Sequence, residues 1–291
     1  MTDKVQAASC NLPSFLAKRL IKNNFLGRQF AYGQLGPEIA HSPLAAKPSA
    51  SLIVVLNDPD PDLYNALKSI VKYREPVELV LVHNNSRPPA EEPLLDLAHT
   101  KIVLQKPTSE HCARNIGALC ANSPLLIFIS DKVIPEAQLV KVYVNHFSTN
   151  KFLAARGKVM GQDDFSEPYF GHLAGSNTRH SWALDLDENM AITAEAYFEV
   201  GGFDESLPEG YVALNMSIQL LTKWYDKKLQ SHLPTARCHL GKTFDLELRQ
   251  VVRQKAFKTM LLKYPTIPEY LHDWCSNMEE ESRISSGEKN D

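Results

Sequence analysis

Three apolar runs, each ending in polar residues, constrain the fold of this chain most strongly. They read SLIVVLND from Ser51, VELVLVHNNS from Val77 and LLIFISDK from Leu125, and segments with helical periodicity lie between them. Strands that are apolar throughout are typical of sheets covered on both faces, and alternation with helices is typical of parallel order. The pattern therefore predicts an α/β protein with a mainly parallel sheet. Because ligands bind beyond the carboxyl ends of such strands, the polar endings mark the candidate site.

Composition and charge narrow the class of protein. The chain has 291 residues, of which 44% are hydrophobic, so it can bury a core of domain size. A formal net charge of −3 argues against a general binder of nucleic acid. The five cysteines are scattered and include no Cys-x-x-Cys pair, which disfavours a disulfide framework or a zinc site and fits a reducing cytoplasm.

The two ends of the chain differ from its middle. The first residues show no signal-peptide pattern, and no run reaches the ~18 apolar residues of a spanning helix, so we expect a cytoplasmic protein or one peripheral to the inner face of the membrane. Residues 13–30 are basic and amphipathic, which predicts a helix on an anionic membrane or a partner, or one packed on its own domain. We predict four segments along the chain. They are an N-terminal helical extension and linker (1–48), a main domain (49–245), a C-terminal helical segment (246–275) and a disordered tail (276–291).

Two short motifs stand before and after the LLIFISDK run. They are Ala113-Arg114-Asn115-Ile116-Gly117 and Gly201-Gly202-Phe203-Asp204-Glu205. In this order, with the strands between them, they resemble the family 2 glycosyltransferases of the GT-A fold over roughly residues 50–245. The resemblance implies a Rossmann-like domain that binds a nucleotide-sugar donor, usually a UDP-sugar, across the first strand ends.

The resemblance also implies a set of nucleotide-binding residues. Asn57 and Asp58 would run along the nucleoside, and His83 stands where the family usually has an Asp that recognises the base. Arg114 matches the family's nucleotide-contacting Arg, and a guanidinium can bond a uracil carbonyl or a phosphate. The alternative is that Arg114 only pairs with a nearby carboxylate. The full predicted set is Asn57, Asp58, His83, Asn84, Arg114, Ser130 and Lys132.

The triplet Ser130-Asp131-Lys132 falls where the family places its metal-binding Asp-x-Asp. Both outer acids are missing, so Asp131 and His239 remain as the candidate ligands for Mn²⁺ or Mg²⁺, and we expect an atypical or absent metal site. Lys132 would repel a cation, but its ammonium group could supply part of the metal's charge at a diphosphate. The alternatives are a solvated Lys132 and a structural His239.

Glycosyl transfer also needs a base for the acceptor hydroxyl, usually Asp or Glu. After GGFDE the family carries an acidic pair, but here those positions are Val212 and Ala213. The carboxylates that remain as candidate catalytic residues are Asp131, Glu209 and Asp187. Glu209 could instead be an exposed loop residue.

Two functions stay open from the sequence. The first is a glycosyltransferase that moves a hexose from a UDP-sugar to a cell-envelope glycan, a lipid-linked glycan or another acceptor, as in polysaccharide biosynthesis. The second is an inactive GT-A domain that binds a nucleotide or glycan or assembles with a partner, which the loss of both acidic motifs favours. An oxidoreductase that uses a dinucleotide is disfavoured, because Asn57-Asp58-Pro59 follows the first strand in place of Gly-x-Gly-x-x-Gly.

Overall fold

A computed structural model describes most of the predicted main domain and the segment before it. The described residues are 12–44, 46–72, 76–85, 92–161, 188–210, 212–224 and 229–245, with isolated positions between 248 and 263. Asp187 and the predicted tail lie outside these residues.

The described strands form one mixed sheet. Along the chain they are β1 (Glu38–His41), β2 (Ala50–Leu56), β3 (Val77–His83), β4 (Thr100–Val103), β5 (Leu125–Ser130), β6 (Val133–Pro135), β7 (Ala154–Met160), β8 (Asn189–Thr193) and β9 (Gln230–Leu240). Their order across the sheet is β1-β4-β3-β2-β5-β8-β7-β9-β6. Strands β4, β3, β2 and β5 run parallel, whereas β8 is antiparallel to both of its neighbours.

Helices cover both faces of the sheet. They are α1 (Ser14–Lys22), α2 (Gln29–Gln34), α3 (Leu63–Val71), α4 (Glu110–Cys120), α5 (Leu139–Thr149), α6 (Ala194–Glu199) and α7 (Val212–Trp224). Capping side chains set where two of them begin. The Ser109 hydroxyl accepts the Cys112 N–H before α4, and the Thr193 hydroxyl accepts the Ala196 N–H before α6.

Alternation along the central strands produces two apolar cores. In β2, Ile53 and Val55 point to one face, and Leu52 and Val54 point to the other. The first face packs against α1, α4, α6 and α7, and the second packs against α3 and α5. Every residue of β2 is buried, as expected for a strand between two helical layers. The predicted α/β class is therefore confirmed.

The N-terminal helix belongs to the first of these cores. Leu16 and Leu20 of α1 are fully buried, as is Tyr32 of α2, and all three lie in the cluster that contains Ile116 of α4. The apolar face of the predicted amphipathic helix is thus occupied by packing inside the chain. Ile21, on the other side of α1, is 60% exposed. No helix in the described ranges is long and apolar enough to cross a membrane.

Several elements carry weaker sequence signals and were not predicted. The short edge strand β1 falls partly in a stretch rich in Ala, Pro and Ser that favours a loop. Helix α5 and strands β7 and β9 also have no counterpart in the predicted pattern. Strands β7 and β9 extend the sheet past β8, whereas β1 pairs with β4 at the other edge. All three are stabilised by pairing with strands distant in the sequence, which local periodicity does not report.

Candidate functional site

A cavity of about 360 Å³ opens at the carboxyl ends of β2 and β5. The loop after β2, the start of α4, the turn after β5 and the segment after β9 form its walls. Most of the predicted site residues meet here. The lining consists of Asn57, Asp58, Glu110, Arg114, Ser130, Asp131, Lys132, Glu188, Glu209, Thr243, Phe244, Asp245, Leu248 and Val252.

Asp131 holds the loop after β2 in place. Its Oδ2 atom accepts the backbone N–H groups of Asn57 and Asp58 at 2.8 and 2.9 Å. The side chain is almost fully buried, because it lies beneath that loop at the base of the cavity. The carboxylate therefore has a structural use, as the anchor that shapes the first strand end.

The surroundings of Asp131 oppose its ionisation. Burial, with the nearby Glu110 carboxylate, raises the pKa of Asp131 to about 6, although the two backbone N–H groups and Lys132 act in the other direction. The carboxyl is consequently poised to gain or lose a proton close to neutral pH. A group with such a pKa in a cleft is a candidate for proton transfer.

Lys132 is paired with the loop that Asp131 anchors. Its ammonium group lies 2.9 Å from Oδ2 of Asp58 and also donates to the backbone carbonyl oxygen of Asp58. The Lys132 side chain is about one-quarter exposed, whereas that of Asp58 is 60% exposed. Asp58 can therefore move away more easily than Lys132, which would leave the ammonium group facing the cavity.

Arg114 reaches the same cavity from helix α4. Its guanidinium pairs with Glu110, one turn earlier, and lies 5.8 Å from the centre of the Phe203 ring. The predicted alternative, pairing with a carboxylate, is thus present in the structure. The carboxylate is itself part of the cavity wall, so the pair lies within reach of a ligand.

Asn115 joins the two sequence motifs. Its Nδ2 donates to the Phe203 carbonyl oxygen at 2.9 Å and to the Glu205 carboxylate at 2.6 Å, and its Oδ1 accepts the Phe203 N–H at 2.9 Å. Arg28 and Tyr32 of the N-terminal segment also contact the Glu205 carboxylate. These contacts fix the turn that leads to Glu209, and Glu209 lies exposed at the cavity.

Asn84 supports the site from behind. Its side chain donates to Oδ1 of Asn57 at 2.8 Å and exchanges hydrogen bonds with the backbone of Thr108. It therefore ties the end of β3 to the loop after β2. His83 is buried at the end of β3, and neither residue is among the side chains that line the cavity.

The described side chains form no cluster of metal ligands. Within these ranges no three His, Cys, Asp or Glu residues come together as a possible metal site. Asp131 uses Oδ2 for two backbone N–H groups, and the Lys132 ammonium lies beside the same loop. His239 lies 3.2 Å from the Glu136 carboxylate and does not line the cavity. Of the two predicted ligands, only Asp131 lines the cavity.

Several residues of the cavity were not predicted from the sequence. Glu110 precedes the Ala113 motif by one helical turn, and Glu188 directly precedes β8. Thr243 and Phe244 reach the cavity because Asp60, which is buried, accepts the Thr243 N–H at 3.0 Å. The acid at the first position of α4 was the only local signal, since anions favour helix N-termini. The other unpredicted residues of the cavity come together only in the tertiary fold.

The cavity carries an unbalanced charge. Among the described residues, six acidic side chains line it, namely Asp58, Glu110, Asp131, Glu188, Glu209 and Asp245, against the two cations Arg114 and Lys132. Both cations already pair with one of these acids. An anionic ligand must therefore compete for them.

Comparison with known proteins identifies the fold. No protein-family model and no curated protein matches the chain. The mannosyltransferase PcManGT from Pyrobaculum calidifontis, in complex with GDP-Man and Mn²⁺, matches 83% of this chain and 71% of its own at 15% identity, with a TM-score of 0.55. GalNAc-T7 with UDP, GalNAc and Mn²⁺ matches 67% of this chain at 16% identity and a TM-score of 0.51. TarS of S. aureus matches 66% at 12% identity and a TM-score of 0.52.

These likenesses confirm the predicted GT-A glycosyltransferase fold. The chain spans less than half the length of GalNAc-T7 and TarS, at 44% and 36% of those chains. At such low identity the similarity concerns the fold, and the chemistry must be argued from the cavity.

Proposed function

We propose that this protein is a family 2-type glycosyltransferase that moves a sugar from a nucleotide-sugar donor, a UDP-sugar in the first instance, to a glycan or lipid-linked acceptor. One observation carries the proposal. The cavity at the carboxyl ends of β2 and β5 unites Asn57, Asp58, Arg114 and the Ser130-Asp131-Lys132 triplet in a GT-A fold. In open α/β sheets this is the edge at which ligands bind. The GDP-Man in the PcManGT complex and the UDP in the GalNAc-T7 complex support a donor that carries a nucleoside diphosphate.

In this proposal the cations of the cavity hold the diphosphate. The donor displaces the exposed Asp58 carboxylate, and Lys132 then bonds a phosphate oxygen, while Arg114 bonds the nucleotide from α4. Among the described residues no cluster of metal ligands forms, so we assign no step to a divalent cation.

The proposed transfer is a single displacement. The acceptor hydroxyl oxygen attacks the anomeric carbon of the sugar, the bond from that carbon to the diphosphate oxygen breaks, and the nucleoside diphosphate leaves. Glu209, exposed on the loop at the cavity, takes the hydroxyl proton. Asp131 is the less suitable base, because its carboxylate faces the two N–H groups of the β2 loop.

The charge of the cavity favours a second candidate function. Among the described lining residues, six acids face two cations that are already paired, an arrangement that resists a diphosphate. A GT-A domain that no longer transfers sugar and instead binds an uncharged glycan would tolerate this charge. The two candidates differ in whether a nucleotide binds.

Calorimetric titration with UDP, with and without Mn²⁺, separates the two candidates. The transferase proposal expects UDP to bind without the metal, and Lys132→Gln to weaken it by about tenfold or more. Lys242→Gln is the matched control, because Lys242 is exposed beside the same edge and pairs with Asp62. Absence of UDP binding under both conditions would overturn the donor site, and binding only with Mn²⁺ would overturn the role given to Lys132.

Release of UDP from UDP-sugars tests the chemistry. We expect slow hydrolysis by the wild type and a loss of about 100-fold in Glu209→Gln, in line with removal of a general base. Glu195→Gln, which changes an exposed acid at the opposite edge of the sheet, should hydrolyse as the wild type does. Equal rates in all three proteins would remove Glu209 from the mechanism, and UDP binding without any hydrolysis would keep the donor site but count against the transfer step.

A further inference from the structure

A second and larger cavity lies at the opposite edge of the sheet. Its volume is about 710 Å³, within the size range of small-molecule sites. The C-terminal end of α1, the loop between α4 and β5, and helix α6 form its walls. Since β2 and β5 are parallel, this edge carries their amino ends, so the cavity is separate from the proposed donor site. We refer to it as the amino-edge groove.

The amino-edge groove has the opposite charge balance to the donor cavity. Among the described residues, four cations line it, Arg19, Lys22, Lys47 and Lys223, against the two acids Glu195 and Glu199. Lys223 pairs with Glu199 at 2.7 Å. Lys22 and Lys47 are exposed and form no ion pair with the described residues, so their ammonium groups face solvent at the groove.

Two further features give the groove a fixed polar floor. Arg19 donates to Oδ1 of Asn122 at 2.6 Å, and the buried Glu78 carboxylate holds the backbone and side-chain N–H groups of Asn122 at 2.7 and 2.8 Å. The guanidinium is therefore positioned by a chain of hydrogen bonds that ends in the core. Ser123 is 94% buried at this floor, and its hydroxyl has no hydrogen-bond partner among the described residues.

We propose that the amino-edge groove binds a phosphate-bearing ligand with hydroxyl groups, such as a sugar phosphate or the headgroup of a phospholipid. Ammonium and guanidinium groups bind phosphate through charge-assisted hydrogen bonds, and the amides of Asn23 and Asn24 can bond hydroxyl groups. An anion enters here without displacing a carboxylate from either Lys22 or Lys47. The proposal is independent of the donor site, because the two cavities share no residue.

The test is a calorimetric titration with glucose 6-phosphate at low ionic strength, with glucose as the uncharged comparison. We expect the phosphate to bind and the double variant Lys22→Gln/Lys47→Gln to weaken it by about tenfold or more. Lys18→Gln/Lys72→Gln makes the same change of charge at exposed lysines outside both cavities and should keep the affinity. Lys132→Gln should also keep it. Hydrolysis of UDP-sugar should be unchanged in the Lys22→Gln/Lys47→Gln protein.

Sedimentation with vesicles distinguishes the source of the phosphate. Binding to phosphatidylglycerol vesicles, but not to phosphatidylcholine vesicles, that is lost in Lys22→Gln/Lys47→Gln would assign the groove to a lipid headgroup. Binding of glucose 6-phosphate alone would assign it to a soluble ligand. The proposal is overturned if neither probe binds or if both double variants lose binding equally. It is also overturned if Lys132→Gln, rather than the groove variant, abolishes binding.

Discussion

At the scale of the residue, two effects act in opposite directions on the protonation of Asp131. Its carboxylate must be charged to accept the two loop N–H groups well, yet its buried position beside Glu110 favours the proton-bound form. The balance raises the pKa of Asp131 from its ordinary value of 3.8 to about 6. A proton therefore binds this group more tightly in the folded chain than in the unfolded one.

This pKa makes part of the stability depend on pH. The contribution of the Asp131 proton is fully present below about pH 4 and is lost as the pH rises through about 6. This difference between the folded-state and unfolded-state pKa values of Asp131 changes the free energy of unfolding by about 3 kcal/mol. Asp131→Asn removes this titratable group. Between about pH 4 and about pH 7.5 the free energy of unfolding of the wild type should therefore fall by about 3 kcal/mol relative to that of the variant. Urea unfolding at a series of pH values measures the difference.

Glu195→Gln serves as the control for this measurement. Glu195 is an exposed acid on α6, far from the buried loop, and its replacement should leave the pH dependence of wild type in place. A stability difference between wild type and Asp131→Asn that stays constant with pH would contradict the assigned pKa.

At the scale of the element, the junction of α4 with the Gly201-Gly202 turn determines where Glu209 stands. Both glycines have positive φ angles, of 85° and 70°. A Cβ atom on Gly202 would lie 2.7 Å from Oδ1 of Asn115 and 2.8 Å from the Phe25 ring, whereas one on Gly201 would meet nothing within 4 Å. Asn115 cannot move aside readily, since its Oδ1 accepts hydrogen bonds from the Phe203 N–H and the Tyr197 hydroxyl.

These two glycines give a matched pair of substitutions. Gly201→Ala should cost about 1–2 kcal/mol for its backbone conformation alone. Gly202→Ala should cost about 1–3 kcal/mol more, because it also overpacks the contact with Asn115. Thermal or urea unfolding measures both values. Equal losses of stability in the two variants would show that Asn115 moves to accommodate the added methyl group. The packing at this junction would then be less rigid than the contacts indicate.

At the scale of the whole molecule, the N-terminal segment and the sheet share one apolar core. Leu16, Leu20 and Tyr32 pack in the same cluster as α4, and Arg28 and Tyr32 reach the Glu205 carboxylate. The segment that suggests a separate extension in the sequence is thus joined to the main domain by packing and by an ion pair. It also supplies Arg19 and Lys22 to the amino-edge groove.

Neighbouring residues of α1 test this shared core. Leu20→Ala removes a fully buried side chain and should lower the free energy of unfolding by about 2–5 kcal/mol in a single transition. Ile21→Ala, at a position 60% exposed, should change it by less than about 0.5 kcal/mol. A separate early transition in Leu20→Ala, with the main transition unchanged, would mean that α1 unfolds independently of the sheet.

Local sequence patterns predict much of the fold and part of the candidate site. The apolar runs of β2, β3 and β5 predict buried strands because each lies between two helical layers, and their polar endings predict the edge at which the cavity forms. Asn57, Asp58 and Lys132 could be anticipated for this reason. Strands β7 and β9 could not, since long-range pairing rather than local periodicity stabilises them.

The sequence by itself determined the α/β order, the position of the cavity edge and the Ser130-Asp131-Lys132 triplet that ends the apolar run of β5. Only the tertiary structure decided which groups pair there. It places the Asp131 carboxylate under the loop after β2, Lys132 against Asp58, and Arg114 against Glu110. It also brings four cations together at the amino edge. The physical reason is that charge pairing and burial depend on distances between residues far apart in the chain, which no local pattern encodes.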